Sequence, residues 1–364
     1  QTKVTGHAVR AMYYFSAMTD LAGELGDEGL LRACERLWDD LYTKNVYLTG
    51  GIGPSRHNEG LTRDYDLPNE TAYAETCAAI GSVLWNHRML QLNCDGRYAD
   101  MMERALYNGV ISGVSLDGKL FFYENPLASR GDHHRKPWFD TACCPPNVAR
   151  LLASLGQYIY AQSQSDIVVH LYVQGSGAFQ IAGQTVTLKQ ATNYPWEGTI
   201  DLRCEMDRPA AFGLRLRIPG WCHNARANVK GFPVEAVADH GYLRIERDWS
   251  PGDTVHLELD MPVERVYAHP DVIADEGHVA LQRGPIVYCL EAVDNALPLN
   301  RVGLRLDAPL NTEFAPDLLD GIVVVKGQAV VADVPDWRQS LYRTQPPVWK
   351  SAEFTAVPYC AWDN

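Results

Sequence analysis

The sequence has no run of about 18 apolar residues, so nothing in it reads as a membrane-spanning helix. No cluster of Lys or Arg occurs, and a formal charge of −13 opposes a phosphate backbone, which excludes nucleic acid as a partner. The amino terminus lacks the basic-then-apolar layout of a secretory signal. Cysteine is sparse: nine in 364 residues, an odd number far below the density of a disulfide-stapled scaffold. A reducing, cytoplasmic compartment is therefore expected, where grouped cysteines act as metal ligands or nucleophiles. The scattered ones, Cys34, Cys94, Cys204, Cys222, Cys289 and Cys360, read as small buried residues. A dinucleotide fingerprint is also missing, because TGGIG at Thr49 follows helices and is too short, so its glycines read as turn formers. The chain starts at Gln1 rather than Met and enters an amphipathic pattern at once, as an interior stretch of a longer protein would.

What is present divides by period. Up to about residue 162 the apolar spacing is helical: Ala8, Ala11, Phe15, Met18, Ala22 and Leu25 repeat at three and four, Gly26-Asp27 breaks the run, and Leu30, Cys34, Leu37, Trp38 and Leu41 resume it. A third helix is predicted from Asn69 to about Leu92, a fourth near Tyr98 to Ile111, and a fifth through Val148 and Ile159 with Pro145-Pro146 at its start. Almost all of the first 162 residues are expected to be helical. After Ser165 the period is two, as in Ile167, Val169, Leu171, Val173 and in Val255, Leu257, Leu259, which predicts antiparallel β-sandwich modules. The length calls for two or three domains.

One loop, YLTGGIGPSRHNEGLTRDYDLPNETAY, concentrates charge: Arg56, His57, Glu59, Arg63, Asp64, Asp66 and Glu70. Just beyond it stand Glu75 and Cys77, and further on the adjacent pair Cys143-Cys144. Those four side chains match the donor set of a tetrahedral zinc site, although no pair of C-x-x-C knuckles is present. Residues two apart on a regular helix point about 200° apart, so Glu75 and Cys77 can share a metal only where the chain is irregular or a helix begins. Cys143 and Cys144 read equally as two small packed residues or a vicinal disulfide.

The stretches GHAVR at Gly6, TGGIG at Thr49, HNEG, DYDLPNETAYAETCA at Asp64, YADMMERALYNGV at Tyr98, FFYENPL at Phe121, CCPPNVARLLASLGQYIY at Cys143, LRIPGW at Leu216 and QRGPIVYCLE at Gln282 carry a resemblance. In these motifs and their order the chain resembles the zinc- and cysteine-dependent β-L-arabinofuranosidase family of glycoside hydrolases. The resemblance implies the C-terminal part of an (α/α)6 barrel over residues 1–160, an inserted β-sandwich over 161–266 and a second sandwich over 267–364. It also implies that helix faces near Ala8 to Leu25 and Ile80 to Leu92, which a missing half barrel would meet, stand uncovered. Zinc falls on Glu75, Cys77, Cys143 and Cys144, the nucleophile on Cys143, the acid/base on Glu59, and sugar contacts on His7 and Tyr123.

That assignment is chemically coherent. Retention needs a nucleophile on the anomeric carbon and a group that first protonates the leaving oxygen and then activates water. A free thiol is mostly protonated at neutral pH, whereas a metal-coordinating thiol is deprotonated. The implied partners are a small carbohydrate and neither nucleic acid nor membrane, with a homo-oligomer left open. Two other functions fit the residues alone: a zinc-stabilised carbohydrate-binding or structural protein without catalysis, and an (α/α)-barrel isomerase or lyase. Read singly, Glu59 is a solvated loop carboxylate, His7 a capping or core histidine, and Tyr73, Tyr98 and Tyr107 core or rim aromatics.

Overall fold

The computed structural model describes residues 2–334 and 340–364. Helices α1 (Ala8–Leu25), α2 (Glu28–Lys44), α3 (Thr76–Asn93), α4 (Gly96–Arg104) and α5 (Cys144–Ser154) form the first part, α4 running on into a π-helical turn over Ala105–Val110. Gly26, in the left-handed region at φ 61°, ends α1, and Asp27 starts α2 by accepting from the amides of Gly29 and Leu30 at 2.8 and 3.0 Å. The α1–α2 hairpin is thus where the spacing put it. Helix α3 is its centre: Ile80, Val83, Trp85 and Met89 are all fully buried, and the Trp85 indole donates to Thr19 of α1 at 3.0 Å. Contrary to expectation α3 exposes no apolar face, while α1 leaves Tyr14, Leu21 and Leu25 in the open.

The near-complete helicity expected before residue 162 fails over 45–75 and 114–143, which are turns and isolated bridges. The third helix begins at Thr76 rather than Asn69 because the Thr76 amide bonds to the Tyr123 carbonyl of the second loop, at 3.0 Å. Gly50 and Gly53 of TGGIG do form turns, at φ 76° and 95°.

Strands follow in order: β1 (Tyr160–Gln162), β2 (Asp166–Val169), β3 (Gly175–Ile181), β4 (Gln184–Thr192), β5 (Thr199–Glu205), β6 (Ala210–Arg217), β7 (Ala225–Val229), β8 (Phe232–Val234), β9 (Tyr242–Trp249) and β10 (Thr254–Leu259). They make two sheets, β1-β2-β6-β9 and β3-β4-β5-β10-β7-β8, that share a core of Ile167, Val169, Ile200, Leu214, Trp249 and Leu257. A third sheet holds β11 (Val263–Val266), β12 (Ala280–Arg283), β13 (Ile286–Cys289), β14 (Val302–Leu304), β15 (Leu310–Ala315), β16 (Ile322–Asp333) and β17 (Val348–Pro358), with β15 and β14 both paired to β16.

Among the described residues, pairing in these sheets is antiparallel with one exception. Strand β2 runs parallel to β6, Ile167 opposite Leu214, and the 167–173 run is a strand only as far as Val169. The alternation expected there is lost because the segment is covered on both sides: Ile167 and Val169 face the sandwich core, and Val168, His170 and Leu171 are buried too, Leu171 against the helices. Strand β10 keeps the predicted alternation, Val255, Leu257 and Leu259 buried and His256 and Glu258 half-buried.

All nine cysteines are free, but of the six scattered ones only Cys34 and Cys204 are fully buried; Cys94, Cys222, Cys289 and Cys360 are half-buried. Among the described residues no helix is long and apolar enough to cross a membrane. The C-terminal segment pins the second loop: the Tyr359 hydroxyl donates to the carbonyls of Asn125 and Pro126 at 3.1 and 3.0 Å, and Trp362 stacks on Phe122 at 4.7 Å. Tyr123 lies between those anchors.

Candidate active site

Two helix starts meet at one place. Glu75 is the residue before α3 and has extended backbone (φ −60°, ψ 133°), while Cys77 lies in the first turn. This resolves the geometric objection, since the carboxylate leaves the chain before helical rotation begins. Cys143 precedes α5, Cys144 is its first residue, and Pro145 and Pro146 fill the first turn, where an amide proton is not needed. Both helices direct their positive ends at the cluster, which favours anions there.

The donor atoms of Glu75, Cys77, Cys143 and Cys144 all lie within 4.8 Å of one another. Cys143 Sγ is 3.7 Å from Cys144 Sγ, close to the edge of about 3.8 Å of a tetrahedron with metal–sulfur bonds of about 2.3 Å. Cys143 Sγ and Cys144 Sγ lie 3.3 and 3.7 Å from Glu75 Oε1, within hydrogen-bond reach, yet Glu75 Oε2 is buried with no hydrogen-bond partner. An unpartnered buried carboxylate oxygen beside three thiols is the donor set that a zinc-type ion takes. These residues fit zinc.

The electrostatics agree. Burial pushes Glu75 up to about 8, and the neighbouring Cys143 thiolate adds to the rise. Hydrogen bonds from Cys144 and Cys77 pull the Cys143 thiol well below its ordinary value, and burial opposes them. The same sharing pushes Cys77 and Cys144 up, each raised first by its hydrogen bond to Cys143. Cys143 is also the least buried of the four, so it is the sulfur a ligand can reach.

Tyr123 closes one side, its hydroxyl in hydrogen-bond contact with Cys143 Sγ at 3.1 Å and its ring edge-on to Phe139 at 5.4 Å. Glu59 ends a turn bridged from Ser55 to Gly60 and has a left-handed backbone, φ 49°. Gly60 must be glycine, because a Cβ there would sit 2.0 Å from the Gly6 carbonyl oxygen. That close approach ties the turn to the start of α1 and brings Glu59 to His7: Glu59 Oε2 lies 3.0 Å from His7 Nε2, and Glu59 Oε1 accepts from the Tyr73 hydroxyl at 2.9 Å. His7 caps no helix amide with its side chain, and its Nδ1 is buried without a partner. The Tyr73 and Tyr123 rings are 6.1 Å apart. So Glu59 and His7 form one group, Tyr123 and the four donors another, and Tyr73 stands between.

Tyr73 is the residue sequence reasoning passed over as a core or rim aromatic; it is indeed buried, yet its hydroxyl has a specific task. Tyr98 is buried and Tyr107 half-buried, as that reading had it. Of the nearby histidines, His57 is exposed, His133 bonds the Glu124 carbonyl at 3.0 Å, and His134 pairs with Asp363. None of the three joins the cluster. Next to Tyr123 in the chain, Glu124 helps to wall a polar cleft of about 760 Å³ with Arg56, Asp66, Glu70 and His133.

Comparison with known proteins matches the chain to three family models: the β-L-arabinofuranosidase GH127 catalytic domain over residues 1–157, its middle domain over 166–261, and the glycoside hydrolase family 127 C-terminal domain over 263–364. A non-reducing end β-L-arabinofuranosidase of Bifidobacterium longum is 36% identical, aligned over all of this chain and 58% of its own. The crystal structure of a GH127 β-L-arabinofuranosidase from Geobacillus stearothermophilus T6 superposes with a TM-score of 0.98 at 50% identity, covering 100% of this chain and 59% of that one. A second solved GH127 β-arabinofuranosidase gives 0.93 at 40%, with the same coverage. The chain thus spans about three fifths of the length of these relatives.

Proposed function

The chain belongs to the β-L-arabinofuranosidase family GH127 of glycoside hydrolases, and from that premise we propose that it carries the reaction centre of a retaining glycosidase releasing L-arabinofuranose, or a related furanose, from β-L-arabinofuranosides. The observation that carries the proposal is the accessible Cys143 sulfur, in contact with the Tyr123 hydroxyl and seated on a buried acid-and-thiol cluster whose Glu75 Oε2 lacks a partner. Glu75, Cys77, Cys143 and Cys144 would hold zinc, and zinc, when bound, keeps such thiols deprotonated at neutral pH.

In the first step the Cys143 sulfur forms a bond to the anomeric carbon as the glycosidic bond breaks, and Glu59 gives its proton to the departing oxygen. In the second, Glu59 as carboxylate takes a proton from water, whose oxygen displaces the sulfur; two inversions leave the configuration retained. Tyr73 and His7 hold the Glu59 carboxyl by one oxygen each. We assign His7 and Tyr123 to the sugar hydroxyls, which the unpartnered His7 Nδ1 supports. The helices of residues 1–160 we read as part of an (α/α)6 barrel, and 161–266 and 267–364 as two sandwich domains, in keeping with the three sheets. Nine free thiols support a reducing compartment.

The test is Glu59→Gln in a protein carrying this chain. An activated aryl leaving group departs with little protonation, so an aryl β-L-arabinofuranoside should glycosylate the variant, which then stalls for want of a base. Mass spectrometry is expected to find the sugar on the peptide containing Cys143. An adduct on a carboxylate, or a product of inverted configuration, overturns the assignment.

A further inference from the structure

The Cys77 sulfur has a donor outside the cluster. Asn147, in the first turn of α5, points its Nδ2 at Cys77 Sγ from 3.1 Å. Its Oδ1 accepts from the Tyr13 hydroxyl of α1 at 3.2 Å, and that hydroxyl in turn accepts from the Arg150 guanidinium. The direction of this relay is fixed by chemistry. A guanidinium only donates, so Tyr13 must accept from it and spends its one proton on Asn147 Oδ1, which leaves the amide N–H₂ for the sulfur. Three helices, α1, α5 and α3, are joined by these contacts.

Resting on the reading of the four donors as a zinc site, we propose that Asn147 is a positioning residue that holds the Cys77 sulfur as a fixed spectator ligand. An amide N–H directed at a sulfur favours its thiolate form and draws off electron density, which suits a ligand that stays on the metal and never meets substrate. Cys77 is buried, consistent with that division of labour, whereas Cys143 is reachable and meets the Tyr123 hydroxyl on the open side. Outer-shell partners of this kind orient metal ligands, and their loss lowers metal affinity.

Asn147→Leu removes the donor with little change of volume, and Tyr13→Phe removes only the group that orients the amide. With the chain loaded with one equivalent of zinc, Asn147→Leu should pass the metal to a chromophoric chelator about 10- to 100-fold faster than wild type, and Tyr13→Phe by a smaller factor. Loaded with cobalt(II) instead, both variants should show the sulfur-to-cobalt charge-transfer band at longer wavelength, because a sulfur lone pair rises in energy when its hydrogen bond goes. A purely structural role would leave that band in place. Wild-type release rates together with an unmoved band overturn the inference, and Tyr13→Phe alone decides if Asn147→Leu does not fold. Failure of the wild type to take up either metal removes the zinc reading itself and this inference with it; normal loading with unaffected variants removes only the role of Asn147.

Discussion

Two places in this molecule bury carboxylates among aromatic and helical surroundings, and they are completed in opposite ways. At the joint between α4 and the first sandwich, the fully buried Arg217 guanidinium bonds Asp100 at 2.7 Å and Glu103, while the Tyr194 hydroxyl and Trp221 indole donate to Glu103 at 2.6 and 3.3 Å. That cluster brings its own cation and fills both Glu103 oxygens. At the starts of α3 and α5, Glu75 meets only thiols and keeps one oxygen without a partner. A buried ionic group completed from within the chain is a joint; an acid-and-thiol cluster with an unpartnered carboxylate oxygen is one that could hold a metal ion, because a cation offsets the cost of a buried anion.

The comparison breaks most sharply on Cys143. In a protein carrying this chain, Cys143→Ser should lower turnover of an aryl β-L-arabinofuranoside by on the order of 10³-fold or more, if the proposed function holds, since a serine hydroxyl is a far poorer nucleophile and ligand, and leave the midpoint of denaturant unfolding of the metal-free protein nearly unchanged. Steady-state kinetics and urea melts measure the two. Retained turnover would mean that the open cluster is not the reaction centre.

Arg217→Met is the mirror experiment. It strands Asp100 and Glu103 without a counter-ion and should cost about 3–5 kcal/mol of stability, while zinc stoichiometry stays at one per folded chain. Denaturant unfolding with and without chelator checks this. A loss of metal at full stability would show that the two clusters are not separable.

A smaller effect comes from pH. His170, buried beside Arg217, accepts or donates through Nδ1 with the Tyr242 hydroxyl at 2.7 Å, and burial pushes it down to about 3. The unfolded chain therefore binds a proton that the folded chain refuses between pH 6.5 and about 3, so stability should rise with pH across that window and fall as the solution is acidified. The full effect is on the order of a few kcal/mol at the acid end. Replacing His170 by Asn should flatten the acid limb of a stability–pH curve, and an unchanged limb would assign the acid sensitivity elsewhere.

Much of the site was legible because its residue types are unusual where they stand: three thiols and a carboxylate in two short motifs, with Pro145-Pro146 marking a helix start. Tyr73 was not legible, since a buried tyrosine in an apolar setting has the same pattern whether or not its hydroxyl serves Glu59. Asn147 was hidden likewise, its role set by Tyr13, which lies 134 positions away. The loop at 114–143 carries no signal that sets it apart from the helical half, because its course is set by the distant C-terminal segment.

The sequence by itself determined the periods, and with them the change from helices to sheets, the α1–α2 hairpin at Gly26-Asp27, and the alternation of β10, because each of these reports the local preference of a side chain for core or water. Only the tertiary structure decided that β2 would lie parallel to β6 with both faces covered, that Thr76 rather than Asn69 would begin α3, and that Glu75 would leave the chain outside the helix. Strand partners and helix starts of this kind depend on where a distant carbonyl or strand edge comes to rest, and close packing rather than local preference fixes that position.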